Sequence, residues 1–327
     1  MRTKRWLGIL LAMLLLASTS LAACGDDDDG GSSGGDTAAD TQSSEAIASN
    51  PDNGSTEITV GSKNFTEQKV LGEIFAQAFA AAGYEVDTQL NLGDEKTALK
   101  ALEDGEIDAY PEYTGTALGS FFNVASADIP DDPQEAYEKA KDGFAKKGLT
   151  ALPPTPFTNS NEVGLTQETA DKLGVEKISD LEDEDQDLTL YGSPECRQRQ
   201  DCLLGLQDVY GLEFKKFTPV DIALRHEVLT KGQADLSIVF TTDPQIERDG
   251  FVLLEDDEGI FPPYNSTLVL RDETVEQAGA DLEEVVAQVE EGLTNEVMQE
   301  LNARVDLDKK TPEQVATEYL RESGLIE

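Results

Sequence analysis

Residues 108–116 read Asp-Ala-Tyr-Pro-Glu-Tyr-Thr-Gly-Thr, and the rest of the chain is organised around this stretch. Ile107–Tyr110 has the apolar positions of a short buried strand, and Pro111, which has no N–H to donate, is expected to end it. Tyr113 and the three residues after it follow at the carboxyl end of the strand, where open α/β sheets present ligand-binding groups. Their ring, two hydroxyls and accessible glycine backbone can hold a small molecule. The alternative is an ordinary strand–loop–helix junction whose tyrosine packs in the core.

The N-terminus, residues 1–24, has the composition of a targeting segment. Three basic residues precede an apolar stretch, Trp6–Leu16, which is too short to span a bilayer as a stable helix. The segment closes with Leu21-Ala-Ala-Cys24, and small residues before a single cysteine resemble the lipobox of a bacterial lipoprotein signal peptide. This predicts a lipid-bearing Cys24 that anchors the mature protein to the outer face of the cell membrane. The alternative is simple secretion with cleavage near the alanines.

The next segment, residues 25–55, consists mainly of Gly, Ser, Asp, Thr and Ala and contains no Lys or Arg. It has too little apolar surface to offset the entropy of an ordered chain, so we expect a disordered acidic linker. The run Asp26–Asp29 is more typical of a solvated, self-repelling spacer than of a metal site.

The charge balance is strongly acidic, with 66 acidic and 25 basic residues and a formal net charge of −41. A phosphate backbone needs a basic face, so this composition argues against nucleic acid as a partner. It is typical of an exported protein that stays soluble in salty surroundings. Because salt screens surface charges within about 10 Å, the net charge says little about a ligand.

Apart from Cys24, the chain has only two cysteines, Cys196 and Cys202. In an oxidising compartment, two cysteines six positions apart predict a local disulfide, worth about 2 kcal/mol by the chain-entropy estimate. With one histidine, His226, and no further cysteine, the chain lacks the ligands of a closed zinc site. We therefore expect neither a metal nor another cofactor.

The first half of the folded chain alternates strands and helices. Strands are predicted at 58–60, 84–90 and 107–110, with helices at 94–103 and from a Thr66 cap to about Ala82. This β-α-β-α-β order predicts a parallel sheet with helices on its faces.

A second α/β unit follows the stiff segment Pro153–Pro156, which suits a crossing between lobes. Its strands are predicted at 187–191, 214–218 and 234–240, and a helix after Gly192 is expected to carry both cysteines. A second crossing is predicted near Phe261–Pro263, before a helical C-terminal third. The expected architecture is a two-lobed α/β fold with a ligand cleft at its junction. Lobe 1 is predicted to comprise 56–157 and 259–327, and lobe 2 to comprise 158–258.

Catalytic motifs are scarce in this part of the chain. From residue 56 onward there is no GxSxG, P-loop or GxGxxG sequence. We therefore expect a binding protein rather than an enzyme. An enzyme with an acid–base pair of carboxylates in the cleft and a surface adhesin without a small ligand are the alternatives from other classes.

Aromatic and basic residues recur at the predicted strand ends and crossings. An aromatic cluster facing two cations describes a ligand with a cationic head and an anionic tail. A quaternary ammonium has no N–H to donate, so its recognition depends on aromatic faces. A carboxylate tail would take lysine and arginine as charge-assisted partners. The candidates are Tyr113, Asn161, Phe240 and Tyr264 for the head, with Lys63 and Arg199 for the tail.

Five sequence motifs resemble the substrate-binding proteins of ABC importers for glycine betaine, choline and related osmoprotectants. The resemblance covers the chain from Glu57 onward, and the motifs are Gly61-Ser-Lys-Asn-Phe-Thr-Glu-Gln68, Gly105-Glu-Ile-Asp-Ala-Tyr-Pro-Glu-Tyr-Thr-Gly-Thr116, Pro194-Glu-Cys196, Phe240-Thr-Thr-Asp243 and Pro262-Pro-Tyr264. It implies a type II periplasmic-binding-protein fold that closes on its ligand and delivers it to the transmembrane subunit of an ABC permease. A monomer is expected.

The resemblance also implies an aromatic cage for the trimethylammonium group. The cage positions fall on Tyr113, Asn161, Phe240 and Tyr264, with polar contacts from Lys63, Thr116 and Arg199 and weaker candidates at Gln68 and Asn159. Asn161 and Phe240 stand where tyrosines are usual, so two walls lose a ring face or a hydroxyl. The implied ligand is a quaternary-ammonium osmoprotectant, and the alternative within this class is another zwitterion such as an amino acid or proline betaine.

The lipobox makes a direct prediction. Cys24→Ser removes the thiol that carries the lipid, so the variant should move from the membrane pellet to the soluble fraction. Fractionation with immunodetection of both forms measures this change. Unchanged membrane association of Cys24→Ser would contradict lipid anchoring.

Overall fold

The computed structural model describes residues 45–327, which form two α/β lobes, each built on a five-stranded sheet. The predicted signal peptide and Cys24 lie outside these residues, as does most of the predicted linker. The end of that linker is ordered, because Ile47 donates from its amide to the Leu325 carbonyl and packs into the core of the first lobe. The linker predicted for 25–55 therefore extends too far.

The strands in the described part of the chain are β1 Glu57–Gly61, β2 Glu85–Gln89, β3 Ala109–Tyr113, β4 Leu149–Ala151, β5 Asn161–Thr166, β6 Thr189–Gly192, β7 Lys216–Pro219, β8 Leu236–Phe240, β9 Phe251–Leu253 and β10 Ser266–Arg271. The first sheet has the order β2-β1-β3-β10-β4 and the second β7-β6-β8-β5-β9. In the first sheet β1, β2 and β3 are parallel as predicted, but β10 runs antiparallel to β3 and β4. Both sheets are therefore mixed, since β5, the first strand of the second sheet, runs antiparallel to its neighbours β8 and β9.

The prediction that Pro111 ends the third strand is wrong. β3 runs through Pro111 to Tyr113, and Pro111 pairs with Leu268 of β10. The Thr114 amide donates to the Asn265 carbonyl, which lies just before β10. Successive amides of a strand point to opposite sides, so the nitrogen of Pro111, three residues earlier, points away from β10. It faces β1, whose pairing with β3 is confined to the level of Ala109. Pro111 thus limits the pairing of β3 with β1 and leaves the pairing of β3 with β10 intact.

The α-helices in the described residues are α1 Thr66–Ala81, α2 Glu95–Glu103, α3 Thr114–Thr116, α4 Pro133–Ala145, α5 Gln167–Leu173, α6 Leu203–Asp208, α7 Glu227–Thr230, α8 Gln245–Asp249, α9 Asp272–Ala278, α10 Ala280–Glu291, α11 Asn295–Asp306 and α12 Pro312–Glu322. A π-helical turn, Ala117–Phe121, continues α3. The apolar stripe of α1 is fully buried and consists of Val70, Leu71, Ile74, Phe75, Ala78 and Phe79. Through it α1 packs against α10, α11 and α12. Thr66 is the first residue of α1 and not its cap; its hydroxyl donates to Asp306 instead.

The helix predicted to carry both cysteines is replaced by a short 3₁₀ helix, Pro194–Gln198, and α6. Arg199 between them has extended backbone, with φ −102° and ψ 134°. The reason is the disulfide between Cys196 and Cys202, whose Cα atoms lie 5.2 Å apart. An α-helix would separate residues six positions apart by about 9 Å, so it cannot carry this bridge.

Two extended segments connect the lobes and run side by side. The Thr155 amide donates to the Ser266 carbonyl at 2.8 Å, and the Asn159 amide donates to the Tyr264 carbonyl at 3.1 Å. The Asn265 side chain donates to the Thr155 carbonyl at 3.1 Å and also to that of Phe157. The crossings predicted near Pro153–Pro156 and Phe261–Pro263 are therefore neighbours that share hydrogen bonds. Among residues 45–327, no helix combines the length and apolar character needed to cross a bilayer.

The disulfide makes a testable prediction for folded, oxidised protein. In a Cys24→Ser background, the denatured and unreduced chain should contain no free thiol, and prior reduction should expose two. Cys202→Ser should lower the free energy of unfolding by about 2 kcal/mol through lost loop closure. Thiol titration and denaturant unfolding give the two readings, and two free thiols without reduction would refute the bridge.

Candidate functional site

A cavity of about 790 Å³, including its open mouth, lies where the strand ends of the two lobes meet. In the first lobe Lys63 follows β1 and Tyr113 is the last residue of β3. In the second lobe Phe240 is the last residue of β8. Most of the residues predicted from the sequence line this cavity: Lys63, Tyr113, Thr116, Asn159, Asn161, Arg199, Phe240 and Tyr264. Gln68 is not among its lining residues. It is fully buried, and its Oε1 accepts a long hydrogen bond of 3.5 Å from the Lys63 amide.

Phe65 is an aromatic wall that the sequence reasoning missed. It lines the cavity, and its ring centroid lies 6.3 Å from that of Tyr113 and 5.5 Å from that of Phe240. It therefore joins the aromatic residues of the two lobes into one surface. Its position just after β1 follows the same strand-end rule that selected Lys63.

Two of the rings already face cations of the protein itself. The Lys63 Nζ atom lies 4.5 Å from the centroid of the Tyr113 ring, and the guanidinium carbon of Arg225 lies 4.4 Å from that of Phe240. Arg225, a second residue missed from the sequence, is held by a fork of hydrogen bonds to Asp243. The π faces of these two rings are therefore partly engaged by cations of the protein itself.

Lys63 is buried and pairs with the buried carboxylate of Glu112. Burial lowers the pKa of Lys63, and the attraction of Glu112 opposes this shift. Glu112 Oε1 also accepts from the Tyr113 amide at 2.7 Å, and its Oε2 accepts from the Tyr110 hydroxyl at 3.0 Å. One carboxylate thus fixes Lys63 at the base of the cavity.

Arg199 is held by Asp201, to which its Nε donates at 2.7 Å and its Nη2 also donates. Burial alone would lower the pKa of Arg199, but the Asp201 charge raises it well above its usual value. Tyr264 donates from its hydroxyl to the same carboxylate, and Arg199 Nη2 donates to Thr116 Oγ1 at 3.4 Å. The remaining nitrogen, Nη1, lies 3.8 Å from Glu95 Oε1. Arg199, Thr116 and Tyr264 thus form one network across the lobes.

Asn161 lies directly opposite Phe240 in the antiparallel pair of β5 and β8. The two positions where the sequence resemblance implies tyrosines are therefore neighbours in one wall. The Asn161 side-chain amide donates to the Asp201 carbonyl at 3.0 Å and to the Tyr264 hydroxyl at 3.4 Å. This wall offers an amide where a tyrosine would offer a ring.

Tyr113 donates from its hydroxyl to the buried carboxylate of Glu67 at 2.6 Å. Burial and the nearby Glu67 charge raise the pKa of Tyr113 well above its usual value, so the phenol keeps its proton. Asn159 donates to the same Glu67 oxygen at 2.7 Å, while its own Oδ1 is buried without a hydrogen-bond partner. The ring of Tyr113 is therefore anchored from behind the cavity.

Acidic side chains complete the lining. Asp94, Glu95 and Glu195 line the cavity together with the three cations Lys63, Arg199 and Arg225. The described residues contain no cluster of three or more His, Cys, Asp or Glu side chains arranged to hold a metal ion. The chemistry available is aromatic contact, charge and hydrogen bonding to a small organic molecule.

A cavity between two α/β lobes, joined by two paired crossings and lined by aromatic and charged groups, defines a solute-binding protein with the type II periplasmic-binding-protein fold. The chain belongs to the family of substrate-binding domains of ABC-type glycine betaine transport systems, whose family model matches residues 56–322.

Relatives with known names support this assignment. A glycine-betaine-binding protein of Pseudomonas aeruginosa is 34% identical over 281 residues, covering 83% of this chain and 89% of that protein. The carnitine transport binding protein OpuCC of Listeria monocytogenes is 27% identical over 274 residues, covering 83% and 88%. An ergothioneine transport permease/binding protein of Helicobacter pylori is 29% identical over 270 residues, covering 82% of this chain and 48% of that protein.

Solved structures agree on the fold. The crystal structure of a glycine betaine/carnitine/choline ABC transporter protein is 25% identical, covers 83% of this chain and 100% of its own, and has a TM-score of 0.67. The ligand-free YehZ of Escherichia coli is 26% identical, covers 82% and 99%, and has a TM-score of 0.60.

Gly115 approaches the second crossing too closely for any side chain. A Cβ atom on it would lie 2.8 Å from the Pro263 carbonyl oxygen and 3.0 Å from Cδ1 of Tyr264. Gly115→Ala should therefore displace the Pro263–Tyr264 segment and lower the free energy of unfolding by about 1–3 kcal/mol. Gly119→Ala, in the adjoining π-helical turn, meets nothing within 4 Å and is the matched control. Denaturant unfolding compares them, and equal stabilities would contradict the contact.

Proposed function

We propose that this chain is the extracytoplasmic solute-binding protein of an ABC importer and binds a small quaternary-ammonium osmoprotectant, such as glycine betaine or choline, in the interlobe cavity. The observation that carries the proposal is the continuous aromatic surface of Tyr113, Phe65 and Phe240, which spans both lobes. Aromatic faces are the groups that recognise a cation without N–H donors. Tyr264 closes the cavity beside them.

The polar network supplies a place for a carboxylate tail. Arginine has five N–H donors, and Arg199 directs its Nε and Nη2 groups to Asp201 and Thr116. Its Nη1 group has no hydrogen bond within the described residues and forms only a long ion pair with Glu95 Oε1, at 3.8 Å. Lys63 has three donors and directs one to Glu112. Both cations thus retain donors for a ligand although each already has a carboxylate partner.

The partners follow from this role. The protein is proposed to work as a monomer, anchored by lipid at Cys24, and to deliver its solute to the transmembrane subunit of an ABC permease. No catalytic role is proposed. The site residues are those that line the cavity, with Phe65 and Arg225 added to the set predicted from the sequence; Gln68 acts behind it.

The proposal is tested by isothermal titration with choline, glycine betaine, carnitine, ergothioneine and proline. We expect saturable binding of at least one quaternary-ammonium compound and no turnover of it. Phe240→Leu keeps an apolar side chain but removes the π face, so it should weaken that binding by about threefold to thirtyfold, corresponding to about 0.5–2 kcal/mol. Phe240→Tyr should retain it.

Phe217→Leu is the matched control. Phe217 is an aromatic residue of the second lobe that also has an arginine, Arg197, over its ring at 5.2 Å, but it does not line the cavity. Its substitution should leave the affinity unchanged. Absence of binding across the panel would refute the proposed ligand class, and equal affinities for wild type and Phe240→Leu would remove Phe240 from the site.

A further inference from the structure

Glu67 is a buried carboxylate that does not line the cavity. It lies in the first turn of α1, where the partial positive charge of the helix N-terminus favours an anion. Burial raises the pKa of Glu67, and hydrogen bonds from Thr242 and three other side chains oppose this shift. A carboxylate buried at this depth is costly unless its acceptor sites are filled.

Each oxygen of Glu67 accepts two hydrogen bonds. Oε1 accepts from the Tyr113 hydroxyl at 2.6 Å and from Asn159 Nδ2 at 2.7 Å. Oε2 accepts from the Thr242 hydroxyl at 2.6 Å and from Asn302 Nδ2 at 3.0 Å. An ionised carboxylate accepts about four such bonds, so this group is saturated and suits the charged form. A proton on the Glu67 carboxyl group would occupy one of these acceptor positions and displace one of the four donors.

The four donors come from separate parts of the fold. Tyr113 ends β3 and Asn302 belongs to α11, both in the first lobe, whereas Asn159 lies on the first crossing. Thr242 follows β8 in the second lobe, two residues after the aromatic wall Phe240. The Glu67 carboxylate therefore binds Tyr113, a wall of the cavity in the first lobe. It also binds Thr242, which lies beside the wall residue Phe240 in the second lobe.

We propose that Glu67 is the positioning residue of the ligand site: it fixes the Tyr113 ring and ties it through Thr242 to the second lobe, so that the walls of both lobes are held in register. This inference rests on the proposed function, because it concerns the same cavity. Glu67 touches no ligand itself and acts through the Tyr113 hydroxyl and Thr242.

Glu67→Gln is the direct test, since glutamine has the same shape but places an NH₂ group where one oxygen now accepts two donors. We expect about tenfold weaker binding of choline or glycine betaine, whichever the wild type binds, in the same titration. Tyr113→Phe removes the partner hydroxyl, and Thr242→Val removes the donor of the second lobe while preserving volume. In either background Glu67→Gln should cause a smaller loss than in the wild type, because its partner is already gone.

Glu290→Gln is the matched control. Glu290 is also a buried glutamate of the first lobe, on α10, and burial likewise raises its pKa. It does not line the cavity, so its substitution should change thermal stability without changing affinity. Melting curves of every variant check that each one is folded at the temperature of titration.

The outcomes separate the two proposals. If wild type binds a probe and the losses from Glu67→Gln and Tyr113→Phe simply add, Glu67 does not act through Tyr113 and the inference fails alone. The same holds if Glu67→Gln affects affinity no more than Glu290→Gln does. If wild type binds no probe, the proposed function fails, and the positioning role fails with it.

Discussion

The paired crossings are the constraint on which the rest of the structure depends. Two extended segments share hydrogen bonds from Thr155 and Asn159 to Ser266 and Tyr264, so the lobes are joined by a narrow two-stranded connection rather than by a shared sheet. Such a connection permits rotation of one lobe against the other while fixing where they meet. Tyr264 and Asn159 lie on these segments and also line the cavity. The floor of the ligand site is therefore part of the hinge.

The site combines aromatic rings with ion pairs in which the basic side chain lines the cavity and the acidic partner is buried behind it. Lys63 and Arg225 face the cavity, while their partners Glu112 and Asp243 are nearly or fully buried. Removing a partner from a buried pair leaves an uncompensated charge, which costs more than the pair contributes. These pairs orient the cations rather than add to stability. The cations lie 4.5 Å from the Tyr113 ring centroid and 4.4 Å from that of Phe240.

The strand-end rule accounts for the part of the site that could be predicted from the sequence. Tyr113 lies shortly after one predicted strand and Phe240 ends another, so their place at the sheet edge could be inferred without knowing tertiary contacts. Pro111 misled the same reasoning, because whether a strand tolerates proline depends on which neighbour its nitrogen faces. Asp201 and Glu67 could not be assigned to the site, since their roles arise from pairing with residues distant in sequence. Glu67 lies within the motif Gly61–Gln68, but the motif does not show which distant side chains its carboxylate binds.

The disulfide ring has a consequence for how binding energy is distributed. Arg199 lies at the middle of the loop that Cys196 and Cys202 close, and its backbone is extended there without support from a helix. An open loop would have to become ordered each time a solute is captured, and that entropy loss would subtract from affinity. When the Cys196–Cys202 disulfide forms during maturation outside the cell, the loop loses this entropy once per molecule and not at every capture. Under the proposed function, solute is then captured and released by a guanidinium that is already in place, and the affinity is expected to depend on the redox state of the compartment.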